Sequence, residues 1–221
     1  MSCEPTVYVV DDDRSTRDVL RRLIESISLR AETFCSCEEF LEDYAPNKPG
    51  CIVLDVRLPG MSGFELQEWL TAQGDGIPII MITGYGDVSM AVRAIENGAV
   101  DFLTKPFNDQ AILDRIRQAL DRDATIRQRR ARTQVIRERF AALTQREREV
   151  MVLVIEGKAN KVIAAELGIS CKTIEGHRAR VMEKMSADSL AGLVRMGLTL
   201  ELTGIDLGTR SGERARPLPI A

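Results

Sequence analysis

The sequence predicts an α/β domain on a five-stranded parallel sheet, then a helical linker, then an all-α helix-turn-helix domain. Three observations carry this. Five short apolar runs alternate with helical patterns through the first 120 residues, the mark of a parallel sheet covered on both faces. A highly charged stretch follows to about Phe140, with no Gly or Pro after Phe107. Beyond it, helical segments are punctuated by Gly157 and Gly168.

The apolar runs are TVYVV (6–10), AETFC (31–35), CIVL (51–54), IPIIMIT (77–83) and DFLT (101–104). Ser36 with Glu39 and Ser62 with Glu65 have the S-x-x-E spacing of capping boxes, so helices should start there. Gly98 suits the cap that ends a helix at about 87–97. From Asn108 onward the last helix of the first domain should run into a semi-rigid linker whose charges form a solvated face. Thr144 with Glu147 repeats the capping box and opens the second domain, with helices at about 144–156, 160–167, 171–184 and 189–199. The expected division is a first domain 5–120, a linker 121–139, a second domain 140–203 and a loose tail 204–221 rich in Gly, Arg and Pro. No internal repeat is present.

Hydrophobic residues make up 44% and charged residues 29%, enough for a packed core. No apolar run approaches the roughly 18 residues of a membrane span. MSCEPTVYVV lacks the basic and apolar regions of a signal peptide, so a cytoplasmic protein is expected. Cys3, Cys35, Cys37, Cys51 and Cys171 are irregularly spaced and odd in number, which suits reduced thiols. The net charge of −3 hides an asymmetry. Residues 1–125 hold 12 Lys and Arg against 22 Asp and Glu, a balance of −10; residues 126–221 hold 18 against 11, a balance of +7. A basic half is what a nucleic-acid surface needs, because neutralising phosphates releases counterions.

In CIVLDVRLPG a buried-type strand runs straight into Asp55. Ligands of open α/β sheets bind beyond the carboxyl ends of the strands. The first run ends in Asp11, Asp12 and Asp13, the third in Asp55, the fourth in Thr83 and the fifth in Lys105. Crowded carboxylates repel unless a cation sits among them. Oxygen ligands suit Mg²⁺, and aspartate is a nucleophile that forms aspartyl phosphates. Lys105 offers a point charge and Thr83 a hydroxyl donor to a phosphoryl group. Asp13 also suits a helix N-cap. The Lys-Pro bond in KPF is a candidate cis bond.

VVDDD, LDVRLPGMSGFEL, MITGYGD and DFLTKPF resemble the receiver domain of bacterial two-component response regulators over roughly residues 5–125. The resemblance implies a flavodoxin-like sheet. It also implies that Asp55 accepts a phosphoryl group from a sensor histidine kinase. Asp12, Asp55 and the backbone carbonyl of Arg57 would hold Mg²⁺, with Asp11 completing the pocket. Thr83 and Phe102 take the switch positions, although Phe102 reads equally as ordinary core. Phosphorylation would favour one of two arrangements, with the change appearing on the fourth helix and fifth strand. Met90, Ala91, Ala94, Val100 and Phe102 provide apolar material there for a homodimer.

In NKVIAAELGISCKTIEGHRARVMEKM two short helices meet at Gly168, the pattern of a helix-turn-helix. Its second helix starts near Cys171 and offers Lys172, Thr173, Glu175, Gly176, His177, Arg178, Arg180 and Lys184. LTQREREV, NKVIAAELGIS, KTIEGHRARVMEKM and SLAGLVRM resemble the LuxR-type DNA-binding domain, and the two-domain order is similar to the FixJ subgroup of response regulators. Asn160, Lys161, Lys172, Thr173 and Arg180 are expected on phosphates, and Glu175, Gly176 and Arg178 on base edges. His177 suits packing or a phosphate contact rather than catalysis. Cys171 is expected to be an ordinary thiol rather than a redox sensor.

The expected function is transcription regulation on double-stranded promoter DNA, reaching RNA polymerase if the protein activates. No enzyme activity on an outside substrate is expected. A Mg²⁺ phosphohydrolase of the haloacid-dehalogenase type would carry a second Asp two residues after the nucleophile, where this chain has Arg57. A phosphate-independent DNA binder would have no use for the full set Asp11, Asp12, Asp55, Thr83 and Lys105.

Overall fold

A computed structural model describes residues 4–46, 48–202 and 205. The chain divides into two units, Met1–Gln128 and Arg129–Ala221. In the first, β1 (Thr6–Val10), α1 (Arg14–Ser26), β2 (Arg30–Phe34), α2 (Cys37–Asp43), β3 (Gly50–Asp55), α3 (Gly63–Ala72), β4 (Ile79–Thr83), α4 (Val88–Glu96) and β5 (Asp101–Thr104) alternate, and α5 (Asp109–Ala141) follows. All strand pairs are parallel, in the order β2-β1-β3-β4-β5.

Alternation along the buried strands sorts the core into two layers. Tyr8, Val10, Ile52, Leu54, Ile79 and Met81 face a cluster with Phe40, Phe64, Leu66, Leu70 and Ala94 from α2, α3 and α4. Val7, Val9, Cys51, Val53, Ile80 and Ile82 face Leu20, Ile24, Ile112 and Ile116 from α1 and α5. Both faces are therefore covered, which is why these strands read as continuous apolar runs.

Element ends differ from expectation for local reasons. β4 starts at Ile79 rather than Ile77, because Pro78 lacks an N–H, although its carbonyl still accepts from Ile52 N–H at 2.9 Å. Ser62 and Glu65 form a full capping box. Ser36 forms half of one: its hydroxyl accepts from Glu39 N–H, but the Glu39 carboxylate accepts from Cys35 N–H at 2.5 Å. The charged stretch after residue 120 is not only a solvated face. Asp123 is buried and accepts from Gly50 N–H at 3.0 Å and from Arg127 at 2.6 Å, which ties α5 to the start of β3.

The second unit holds the end of α5, then α6 (Gln145–Ile155), α7 (Asn160–Leu167), α8 (Cys171–Met185) and α9 (Leu190–Leu202). Ile136, Leu143, Val150, Met151, Val154, Ile163, Ile174, Val181, Met185, Leu193 and Leu200 make its core. Gly168 ends α7 at φ +67, in the left-handed region that a side chain disfavours, and this lets the turn into α8 stay short. Thr144 and Glu147 form the full capping box at the start of α6. Ser189, expected inside the last helix, precedes α9 and its hydroxyl accepts from Gly192 N–H at 3.1 Å. Apart from Ile205, the tail 204–221 lies outside the described residues, as does Cys3.

Candidate functional site

The acidic pocket forms at the switch point of the sheet. β1 and β3 are neighbours, yet the chain continues from β1 to β2 on one side and from β3 to β4 on the other, which opens a crevice at their carboxyl ends. Val10 pairs with Leu54, so the next residues, Asp11 and Asp55, emerge side by side. Both are buried, while Asp12 is exposed. One carboxylate oxygen from each of Asp11, Asp12 and Asp55 lies within 4.8 Å of the others.

Lys105 enters from the end of β5. Its Nζ donates to Asp11 Oδ2 and Asp55 Oδ2, each at 2.5 Å. Its backbone N–H donates to the Thr83 carbonyl at 2.7 Å, fastening the ends of β4 and β5 together. The Lys105–Pro106 bond is cis. The other carboxylate oxygens hold the loops: Asp11 Oδ1 accepts from Asp13 N–H at 3.0 Å and Asp55 Oδ1 from Arg57 N–H at 3.1 Å. Burial raises the Asp11 carboxyl above its ordinary range, against the hydrogen bond and charge of Lys105. Burial also opposes the Lys105 ammonium, but its bonds to Asp11 and then Asp55 outweigh this and raise its pKa. Asp13 instead caps α1, accepting from Ser15 and Thr16; the Thr16 hydroxyl chiefly lowers its pKa.

Thr83 is fully buried at the end of β4, and its hydroxyl accepts from Tyr85 N–H at 3.3 Å. Phe102 is half-buried and packs against the core on the α4 side of the sheet. Gly86 joins them, which the sequence reading missed. A Cβ there would stand 2.6 Å from Thr104 Cγ2, 2.9 Å from the Phe102 ring and 3.2 Å from Thr83 Cγ2. Bare backbone at Gly86 lets the β4–α4 loop close onto both switch candidates. The only signal was the pair of glycines in TGYG. Also missed is the tether of α4 to α3, where buried Gln67 donates to the Ala94 carbonyl at 3.0 Å and Arg93 pairs with Glu68 at 2.9 Å.

In the second unit, Lys161, Lys172, Thr173, Glu175, Gly176 and Arg180 are exposed, as a contact surface requires. Ser170 caps α8, accepting from Thr173 N–H at 3.1 Å. Three expected contacts, Asn160, Arg178 and Lys184, are otherwise engaged. Arg178 is half-buried and donates to Asn160 Oδ1 at 2.5 Å, so it braces α8 against α7 rather than standing free. Lys184 donates to buried Glu147 at 2.7 Å. Lys184 and then Thr144 N–H hold the Glu147 carboxyl at about 2. His177 is half-buried, and its Nδ1 is buried without a hydrogen-bond partner among the described residues.

Among the described residues, Cys35 and Cys37 do not form a redox or metal pair. Cys35 is exposed while Cys37 is buried, and burial pushes the Cys37 thiol up to about 12. Burial likewise pushes Cys51 up. Among the described residues, no helix is long and apolar enough to cross a membrane.

A parallel sheet in this order, carrying a lysine-bridged acidic pocket and joined to a helix-turn-helix unit, defines a two-domain signalling regulator. Residues 7–117 match the response regulator receiver domain family, and residues 141–197 match the luxR family of bacterial regulatory proteins. The transcriptional regulatory protein FixJ of Azorhizobium caulinodans is 47% identical over 204 residues, 92% of this chain and 96% of that protein. Nodulation protein W of Bradyrhizobium diazoefficiens is 45% identical over 202 residues, 91% and 89% of the two chains. Among solved structures, the response regulator StyR aligns with a TM-score of 0.80 at 50% identity, covering 88% of this chain and 98% of that one. The chain belongs to the response regulators that join a receiver to a LuxR-type DNA-binding domain. It is a transcription regulator, in a family where phosphorylation and dimerisation are typical.

Proposed function

We propose that Asp55 is the phospho-acceptor of this regulator and that its donor is a phosphohistidine on a sensor kinase. The observation that carries this is Lys105 Nζ, held 2.5 Å from both Asp11 and Asp55 at the mouth of the sheet. An Asp55 carboxylate oxygen attacks phosphorus, the P–N bond to the kinase histidine breaks, and an acyl phosphate forms on Asp55. Lys105 then turns from the two carboxylates to a phosphoryl oxygen. Thr83, freed from Tyr85 N–H, donates its hydroxyl to another.

The donor set fits Mg²⁺: oxygens of Asp11, Asp12 and Asp55 are clustered, and the backbone carbonyl of Arg57 would complete the protein ligands. When bound, Mg²⁺ supplies positive charge for the phosphoryl oxygens. The chain's own residues do the rest: Asp55 attacks, and Lys105 and Thr83 hold the transferred group.

Thr83 and Phe102 act as the switch. Their shared contact with Gly86 links a movement at the phosphoryl group to the β4–α4 loop. Of the residues expected to form an apolar face there, Ala94 is buried and Met90, Val100 and Phe102 pack against the core; the exposed Val88, Val92 and Ile95 of α4 instead give the phosphorylated receiver an apolar face for a second copy. On DNA, Asn160, Lys161, Lys172, Thr173 and Arg180 hold phosphates, and Glu175 and Gly176 meet base edges at the start of α8. Arg178, His177 and Lys184 serve the fold of the helix-turn-helix in this reading. Residues 5–120 act as receiver, 121–139 as linker, 140–203 as DNA-binding domain and 204–221 as tail. The protein works in the cytoplasm, contacts RNA polymerase where it activates, and turns over no outside substrate.

Intact mass after incubation with Mg²⁺ and a small acyl-phosphate donor tests the central claim. Wild type should gain one phosphoryl group and Asp55→Asn none. Equal gain by both would overturn Asp55 as the acceptor.

A further inference from the structure

We infer that the arginine-rich stretch of α5 is a second DNA-contacting surface, holding phosphates outside the bases that α8 reads. This rests on the proposal that α8 reads DNA and goes beyond it.

The charge pattern changes sharply within one helix. Residues 109–123 carry Asp109, Asp114, Asp121 and Asp123 beside Arg115, Arg117 and Arg122, a nearly balanced set. Residues 124–137 carry Arg127, Arg129, Arg130, Arg132 and Arg137 and no acid at all. The change of sign falls close to the boundary between the units, at Gln128 and Arg129. The arginines beyond it travel with the DNA-binding unit. Ile136 is buried in that unit's core, and Arg139 donates to the Met185 carbonyl at 3.1 Å.

Geometry gathers the charge onto one face. Arg129, Arg130, Ala131, Thr133, Gln134 and Arg137 line a groove of about 500 Å³. Its walls offer guanidiniums and neutral hydrogen-bonding side chains, without a carboxylate. Guanidinium groups match phosphate oxygens in two-point contacts.

Two polyanionic partners present themselves: DNA, and the acidic first half of a second copy, whose balance is −10. DNA fits better. Protein interfaces bury an apolar centre, and Ala131 is the only apolar side chain lining this groove. The DNA-reading helix also belongs to the same unit. Arg132, on the adjoining face, lines a smaller cavity with Ser186, Asp188, Ser189 and Arg195, at the turn from α8 into α9. The stretch therefore neighbours the C-terminal end of α8, whereas base edges are met at a recognition helix's N-terminal end. The phosphates within its reach flank the site.

The test uses the phosphorylated full-length chain and a 20-bp duplex that it selects from a random pool. That duplex is measured alone and with 12 bp of mixed sequence added on each side, across a salt series. Wild type should bind the lengthened duplex more tightly. Arg129→Gln with Arg130→Gln should abolish that gain, about tenfold near 0.15 M salt, and lower the salt slope on long DNA by about 1.8 for two lost phosphate contacts. Glutamine keeps helix propensity, and affinity for the short duplex should stay at the wild-type value. Arg129→Lys with Arg130→Lys should keep most of the gain, and Gln134→Glu should reduce it. No gain on lengthening for wild type overturns the inference. So does an equal loss on both duplexes, or a change confined to self-association, which would identify the acidic half of a second copy as the occupant. Failure of wild type to select any duplex would instead sink the α8 reading.

Discussion

The acidic pocket and the proposed DNA-reading helix α8 are both groups of polar residues, but they are built in opposite ways. Asp11, Asp55, Thr83 and Lys105 come from four strand ends, are largely buried, and are held in place by one another. The proposed contact residues of α8 come from one continuous segment, and those not bonded within the unit are exposed to solvent. In the pocket, the proposed chemistry and the fold use the same bonds. On α8, each side chain serves either the fold or the surface, and Arg178 and Lys184 have gone to the fold. Substitutions should therefore act jointly in the pocket and separably on the helix.

The largest effect belongs to Lys105→Met. It leaves buried Asp11 and Asp55 facing each other with no cation between them. Phosphorylation by a small donor should slow about 10²-fold, the scale on which a placed electrostatic donor acts. The receiver should also melt earlier, because removing one partner leaves a buried charge uncompensated. A normal rate with unchanged melting would break the comparison, since the pocket would then not depend on its own bridge.

Most of the pocket was legible in the sequence because the sheet does the positioning. Once five apolar runs are assigned to parallel strands, residues at their carboxyl ends must converge. What stayed hidden depends on contacts distant in sequence. The burial of Asp123 needs Gly50 N–H, 73 residues away. Lys184 looked like one more charge on a basic helix until α6 brought Glu147 to it, 37 residues away. Gly86 matters through what surrounds a Cβ it lacks, and no pattern of residue types records that. Helical charge patterns tell which residues share a face but not which face is covered.

A smaller, pH-dependent effect isolates the Glu147–Lys184 pair. Glu147 is held at about 2 when folded, against a usual value of 4.5. A depressed carboxyl contributes stability that is fully present above its unfolded value and is lost as pH falls toward the folded one. Glu147→Gln keeps the acceptor for Thr144 N–H, so the cap survives while the charge goes. Thermal melts of the variant should fall below wild type at neutral pH, and the gap should narrow between about pH 4.5 and 2. Lys184 is partly exposed, so solvent and salt will shrink the gap. A gap that ignores pH would assign Lys184 back to the surface.

The smallest effect separates the two kinds of basic residue on α8. Arg180 is exposed and Arg178 is half-buried on Asn160. Arg180→Ala should leave melting unchanged, weaken binding uniformly across DNA sequences, and lower the salt slope by about 0.9, the share of one phosphate. Arg178→Ala should do the reverse. It should melt earlier by the roughly 1.5–3 kcal/mol of a hydrogen bond to a charged group, and its affinity should fall only as far as the folded population does. If Arg178→Ala instead melts normally and relaxes the choice at a single base pair, the guanidinium leaves Asn160 to read a base. Fold and surface would then share one side chain on α8, as they do in the pocket, and the contrast between the two sites would narrow to a difference in burial.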